Sequence, residues 1–82
     1  MFIYVIKRIT WVENADYSGY AGVGCIIGVA YELSVARDTV MDDAGYYTYE
    51  FEWANERYCV GYDDDGRNHS GVRYEIREVP IK

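Results

Sequence analysis

The sequence predicts a single α+β domain: one small antiparallel-rich sheet, in the order β-β-α-β-β-β, with one helix packed on one face. Three observations carry that expectation. Several short segments alternate large apolar and polar or small residues with a period of two, the strand signature. Only one segment, Glu32 to Ala44, repeats apolar residues at helical spacing. The chain has 82 residues, one Pro, no internal repeat and no linker composition, so residues 1–82 are expected to form one domain.

Phe2 to Val12 reads as the first strand, rich in β-branched and aromatic residues. Ile3, Val5, Ile9 and Trp11 share one side, and Phe2, Tyr4 and Ile6 the other. Apolar residues on both sides of its first half suggest a central strand with a helix over one face. Glu13 to Gly24 reads as a loop, broken by Gly19, Gly22 and Gly24 and carrying Tyr17 and Tyr20. Cys25 to Ala30 is a short buried strand. In the helix, Leu33, Ala36, Val40 and Ala44 form a stripe that Val35, Thr39 and Met41 widen. Glu32, Arg37, Asp38, Asp42 and Asp43 are placed toward solvent, and Gly45 ends the helix. Acids in the last turn oppose the helix dipole, so Asp42 and Asp43 invite a non-local reason.

Tyr46 to Trp53 reads as a strand with Tyr47, Tyr49, Phe51 and Trp53 on one side. Tyr58 to Tyr62 alternates too. A hairpin pairing Trp53 with Tyr58, Phe51 with Val60 and Tyr49 with Tyr62 would gather every large residue on one face. Asp63 to Gly71 is a polar loop, and Val72 to Val79 the last strand, closed by Pro80. The expected core is Ile3, Val5, Leu33, Ala36, Val40, Tyr49, Phe51, Val60, Tyr74 and Ile76. With ten Tyr in so small a domain, several phenols must reach the surface.

Composition narrows the function classes. The chain is too short for a dinucleotide-binding unit with a substrate domain, and too aromatic to be disordered. Cys25 and Cys59 have no CxxC spacing, and His69 is the one histidine. Free thiols and no metal are expected. Asp63-Asp64-Asp65-Gly66 has the start of a calcium loop, but its fifth and twelfth positions are Arg67 and Tyr74. Gly22, Gly24 and Gly28 precede a strand, not a helix, so they are not the phosphate fingerprint. His69 beside Ser70 makes no catalytic arrangement. The expectation is a protein that is not an enzyme and needs no cofactor. The N-terminus is apolar before it is charged, the reverse of a signal peptide, and no run is long enough to span a bilayer. A cytoplasmic location is expected.

The net charge of −6 is unevenly placed. Residues 42–65 hold Asp42, Asp43, Glu50, Glu52, Glu56, Asp63, Asp64 and Asp65 against Arg57 alone, a net of −7, and the rest of the chain carries +1. On the expected strand, Glu50 and Glu52 point away from the aromatic side, about 7 Å apart. Direct nucleic-acid binding is disfavoured by this charge. A row of carboxylates with Tyr anchors suits a basic groove on another protein. The candidate partner-binding residues are Glu50, Glu52, Glu56, Asp63, Asp64 and Asp65, with Tyr46, Tyr17 and Tyr20.

The opening strand Phe2-Ile3-Tyr4-Val5-Ile6-Lys7, and Ile26-Ile27-Gly28-Val29-Ala30 ahead of a helix, stand in a short acidic domain with Tyr and acid on its surface. The whole resembles small phage-encoded inhibitors of host defence, the anti-CRISPR proteins above all. The resemblance implies a stoichiometric inhibitor of a nuclease complex, such as a CRISPR effector, in the host cytoplasm. It would act as a monomer or homodimer, with no membrane and no direct nucleic-acid contact. Two other classes are compatible with the residues. One is a protein sequestering a small molecule or nucleotide signal, with Tyr17 and Tyr20 as walls and Arg73 and Arg77 as phosphate contacts. The other is an assembly module using a strand edge.

Overall fold

The computed structural model describes residues 1–14, 17–64 and 68–81, and side chains for residues 1–11, 24–62 and 70–81. Five antiparallel strands form one sheet: β1 (Phe2–Asn14), β2 (Tyr17–Ala30), β3 (Phe51–Asn55), β4 (Tyr58–Asp64) and β5 (Asn68–Pro80). Their spatial order is β2-β1-β5-β4-β3. The single helix α1 (Leu33–Ala44) lies between β2 and β3 in the chain and packs on β1, β2 and β5. The α+β class and the β-β-α-β-β-β order are those the sequence predicts.

The helix stripe is buried at Ala36, Val40 and Ala44, with Leu33 half-buried. Val35 and Met41 do not widen it; both are exposed. Under the helix, Ile6 from β1, Cys59 from β4 and Val72, Tyr74 and Ile76 from β5 complete the core. Tyr47, Tyr49, Phe51 and Trp53 pack along its margin as half-buried rings. Tyr49 stacks on Tyr47, its hydroxyl 3.1 Å from that of Ser70, and Phe51 leans on Tyr74. The alternation expected over 46–53 therefore holds, but the ladder is shorter. Residues 46–50 are not strand, because Tyr46 and Tyr47 donate back to the carbonyls of Asp43 and Ala44 and carry the chain around the helix end.

Three other expectations are corrected. Residues 17–24 are not loop but the first half of β2, paired with β1 from Tyr17↔Asn14 to Gly24↔Ile9. A ladder is made by backbone, and its glycines lie opposite the bulky Ile9 and Trp11. Residues 63–64 and 68–71 are likewise strand: Asp63 pairs with Ser70 and Asp64 with His69, while β1 holds the other side of β5 as far as Asn68.

The third correction concerns the β3–β4 register. Phe51 lies opposite Gly61, and Trp53 opposite Cys59, one residue away from the expected pairing. Large residues do not face large ones. The Phe51 ring instead occupies the space above Gly61, where a Cβ would come within 2.7 Å of it. Ala54 is the extra residue of a bulge, and the turn closes with the Arg57 N–H on the Asn55 side-chain oxygen at 2.8 Å. Tyr58, Val60 and Tyr62 consequently point to the opposite, helix-free face. Val60, expected in the core, is half-buried there, as are Ile3 and Val5.

Direct cross-strand neighbours share a face, so this helix-free face reads as rows. One row is Ile26, Lys7, Glu75 and Tyr58; the next is Gly24, Ile9, Arg73, Val60 and Glu52. A third runs Gly22, Trp11, Gly71 and Tyr62. Trp11 is buried because its ring lies on Gly71, where a Cβ would sit 2.4 Å from a ring carbon.

Candidate functional site

The acidic segment is built by the β3–β4 hairpin at one edge of the sheet. β3 is the outermost strand, paired only to β4. Its core-side residues, Phe51 and Trp53, fix its phase, so Glu50 and Glu52 are exposed on the alternate positions. Glu52 lies opposite Val60 on the helix-free face. Glu50 shares a shallow cleft of about 310 Å³ with Thr48, Tyr49 and Tyr62. Glu56 is exposed in the turn at the other end of β3. None of these three carboxylates has an ion-pair partner among the described residues.

Asp63 and Asp64 close β4, at the end of the hairpin away from Glu56; their backbones pair with Ser70 and His69, and their side chains lie outside the described residues. Asp65 lies outside the described residues altogether. Tyr46, 88% exposed, stands at the helix end and borders a second shallow cleft with Ile27, Thr39, Asp42 and Asp43. Tyr17 and Tyr20 belong to β2, whose backbone forms the opposite edge, with three strands between it and β3. The sheet thus brings Glu50, Glu52 and Glu56 to one edge and puts Tyr17 and Tyr20 at the other. Tyr62, 59% exposed in the Glu50 cleft, is an aromatic neighbour of the acids that the expected register hid.

Asp43 has a different role from the one its surface placement implied. Arg8 donates to both its carboxylate oxygens, at 2.9 and 3.0 Å, and the Tyr74 hydroxyl donates to Oδ2 at 2.6 Å. This is the non-local reason for an acid in the last helical turn: it ties the helix C-terminus to β1 and β5. The hydrogen bond to Asp43 raises the Arg8 pKa, against a smaller effect of burial. Burial first, then the Asp43 carboxylate, pushes the Tyr74 phenol far above its ordinary range. Burial also raises the Cys59 thiol, partly offset by Arg37. Tyr74 and Cys59 are locked in the core, with Arg8 half-buried at its margin, and the arrangement ties the helix to the sheet.

The cations engage groups other than the hairpin acids, even Arg57, which follows Glu56 in the turn. Arg37 stacks over Trp53 at 4.4 Å, and Arg57 lies 3.7 Å from Glu78. Arg73 is 3.9 Å from Glu75, its Nε buried without a hydrogen-bond acceptor. Lys7, Tyr58, Glu75 and Arg77 border a wider depression of about 680 Å³ on the helix-free side. Cys25 and Cys59 are both free thiols. Among the described residues no cluster of three His, Cys, Asp or Glu side chains could hold a metal ion, and no helix is long and apolar enough to cross a membrane.

No protein-family model matches this chain, and no curated protein or solved structure matches it either.

Proposed function

We propose that this chain is a non-enzymatic binding protein that docks its acidic β3–β4 edge on a basic surface of another protein and occludes it. One observation carries the reading: an outermost strand presents Glu52, with Glu50 just before it and Glu56 at its turn, as exposed carboxylates without ion-pair partners among the described residues. Carboxylates so placed lose little on meeting cations, because no internal pair has to break. Tyr62 beside Glu50 supplies the large amphipathic ring that charge alone lacks as an anchor. A nucleic-acid-binding site is the protein surface richest in such cations, and a host-defence nuclease complex is the partner class that the resemblance implies.

The test is charge reversal in two sets, Glu50→Lys with Glu52→Lys and Asp63→Lys with Asp64→Lys. Both should fold, since the first pair is exposed and the second ends a strand. The first should abolish binding to a basic nuclease complex and protection of a phage from host defence. Wild-type binding should weaken steeply between 50 and 300 mM salt, concentrations chosen because screening falls from well over 10 Å to roughly 6 Å across them. Folded Glu50→Lys/Glu52→Lys protein with full activity would overturn the reading. The acids would then serve solubility and protect a short edge strand from pairing with other chains.

A further inference from the structure

We propose that the cleft between Glu50 and Tyr62 is a socket for one arginine side chain of the partner protein. The inference deepens the reading of the β3–β4 edge as a docking surface and rests on it.

The first argument is an arrangement that the chain itself repeats. Tyr4 lies directly opposite Glu78 in the β1–β5 ladder, and Tyr58 directly opposite Glu75 in the β4–β5 ladder. Directly opposed residues share a face and lie within reach of one another. Each of these Tyr–Glu pairs holds a guanidinium. Arg57 Nη1 is 3.7 Å from Glu78 Oε2, and its guanidinium carbon is 5.7 Å from the centre of the Tyr4 ring. Arg73 Nε is 3.9 Å from Glu75 Oε1, and its guanidinium carbon is 6.0 Å from the centre of the Tyr58 ring. The carboxylate attracts the cation through its charge, and the ring face through its quadrupole.

A third pair has the same geometry. Continuing the β3–β4 register one step past Phe51↔Gly61 sets Glu50 opposite Tyr62. The two line one cleft of about 310 Å³ with Thr48 and Tyr49. The Tyr62 ring is 59% exposed, and Glu50 has no ion-pair partner among the described residues. No arginine lines this cleft among the described residues. What two internal arginines fill elsewhere is presented here to a partner.

The second argument is chemical, and it selects arginine over lysine. A guanidinium is flat and weakly hydrated, so it can lie on the Tyr62 ring while two of its N–H groups point at the Glu50 carboxylate. The Thr48 hydroxyl can accept a further N–H. The Tyr49 hydroxyl is already 3.1 Å from Ser70 Oγ, which holds its ring as a wall. A compact ammonium keeps its water and gains less from the ring. The volume lies at the floor of the range for small-molecule pockets and suits a single side chain.

NMR titration of the full chain with hexa-arginine and with hexa-lysine separates the socket from bulk charge, because the two probes carry the same charge. Hexa-arginine should bind about fivefold more tightly, with its largest shifts at Thr48, Glu50 and Tyr62. Glu50→Gln and, separately, Tyr62→Leu should bring the two affinities to parity. Glu52→Gln, outside the cleft, should weaken both probes and keep their ratio. Should Tyr62→Leu misfold, Glu50→Gln alone decides, since its side chain is exposed. Equal affinities for the wild-type protein, or a preference for arginine that survives Glu50→Gln, would overturn the socket. The two failures are distinguishable. The edge reading falls with full activity of folded Glu50→Lys/Glu52→Lys protein, whatever the peptide ratio, and the socket falls with the peptide ratio, whatever that activity.

Discussion

On the helix-covered face, Ile6, Val40, Cys59 and Tyr74 have no accessible surface, and polar groups there are tied to named partners. On the opposite face, Ile26 and Val29 stand in solvent, and Arg73 keeps a buried Nε without an acceptor. The same five strands build both. The difference is the cover: one helix and a row of aromatic rings cover the first face, and on the second the side chains shield one another unevenly, leaving Ile9 and Trp11 buried and Ile26 and Val29 exposed. The two faces should therefore answer differently to the same kind of mutation. Truncation at the buried positions of the first should cost folding, and at the exposed Val29 of the second it should cost little.

The largest effect expected is at Tyr74. Tyr74→Ala removes a fully buried ring that touches Phe51 and holds Asp43, and it should cost about 4 kcal/mol. That is most of the stability of a small domain, visible as loss of the cooperative thermal transition. Val29→Ala, on the other face, should move monomer stability by no more than ~0.5 kcal/mol. Equal losses at the two sites would show that both faces are covered in the monomer. Next is Asp43→Ala, which strips the acceptor from Tyr74 and the partner from Arg8. A loss of about 2 kcal/mol is expected in urea unfolding. Its neighbour Asp42→Ala, exposed and at the same helix end, should be neutral or slightly stabilising.

Sequence pattern reached the fold because periodicity reports faces. The stripe Ala36, Val40, Ala44 and the alternation Tyr47, Tyr49, Phe51, Trp53 are set by which side is dry, and both sets pack where their phase requires. Pattern failed where two arrangements share a phase rule but differ in volume. Pairing Phe51 with Val60 or with Gly61 is equally periodic, and only the space above Gly61 decides. It also failed at β2, because a glycine-rich segment carries a ladder through its backbone, which composition does not display. Of the site, Glu50 and Glu52 were legible as outward positions of an alternating strand. Tyr62 beside them, and the distance of Tyr17 and Tyr20, depend on register and strand order. Asp43 was legible only as an acid at a helix end that lacked a local reason.

A smaller effect separates the faces by pH. Cys59 and Tyr74 are cross-strand neighbours under the helix, with ordinary pKa values of 9.0 and 10.0, both raised in the fold. The unfolded chain loses these protons first, so above pH 9 the native state binds more protons than the unfolded one. Stability then falls as pH rises, and the contribution is complete below pH 9. The urea midpoint should accordingly decline from pH 8 to pH 11, and Tyr74→Phe should flatten that decline. A wild-type midpoint constant across this range would mean that water reaches the phenol and the thiol in the native state.

The smallest effect is in the thiols, and it reads the β3–β4 register directly. Cys25 is exposed on an outer strand, and Cys59 is fully buried. With a water-soluble disulfide reagent at pH 8, Cys25 should react at the rate of a free thiol. Cys59 should react at least ~1,000-fold more slowly, because reagent reaches it only through an opening that costs much of the global stability. In denaturant both should react at once. Labelling Cys25 should shift stability by no more than ~0.5 kcal/mol, since its side chain supports no packing in the core. The register is what makes Cys59 slow: it puts Trp53 opposite Cys59 and turns Tyr58 and Val60 outward. With the pairing one residue over, Trp53 against Tyr58, the thiol would face outward beside Glu52, and two fast thiols would be counted in the native protein.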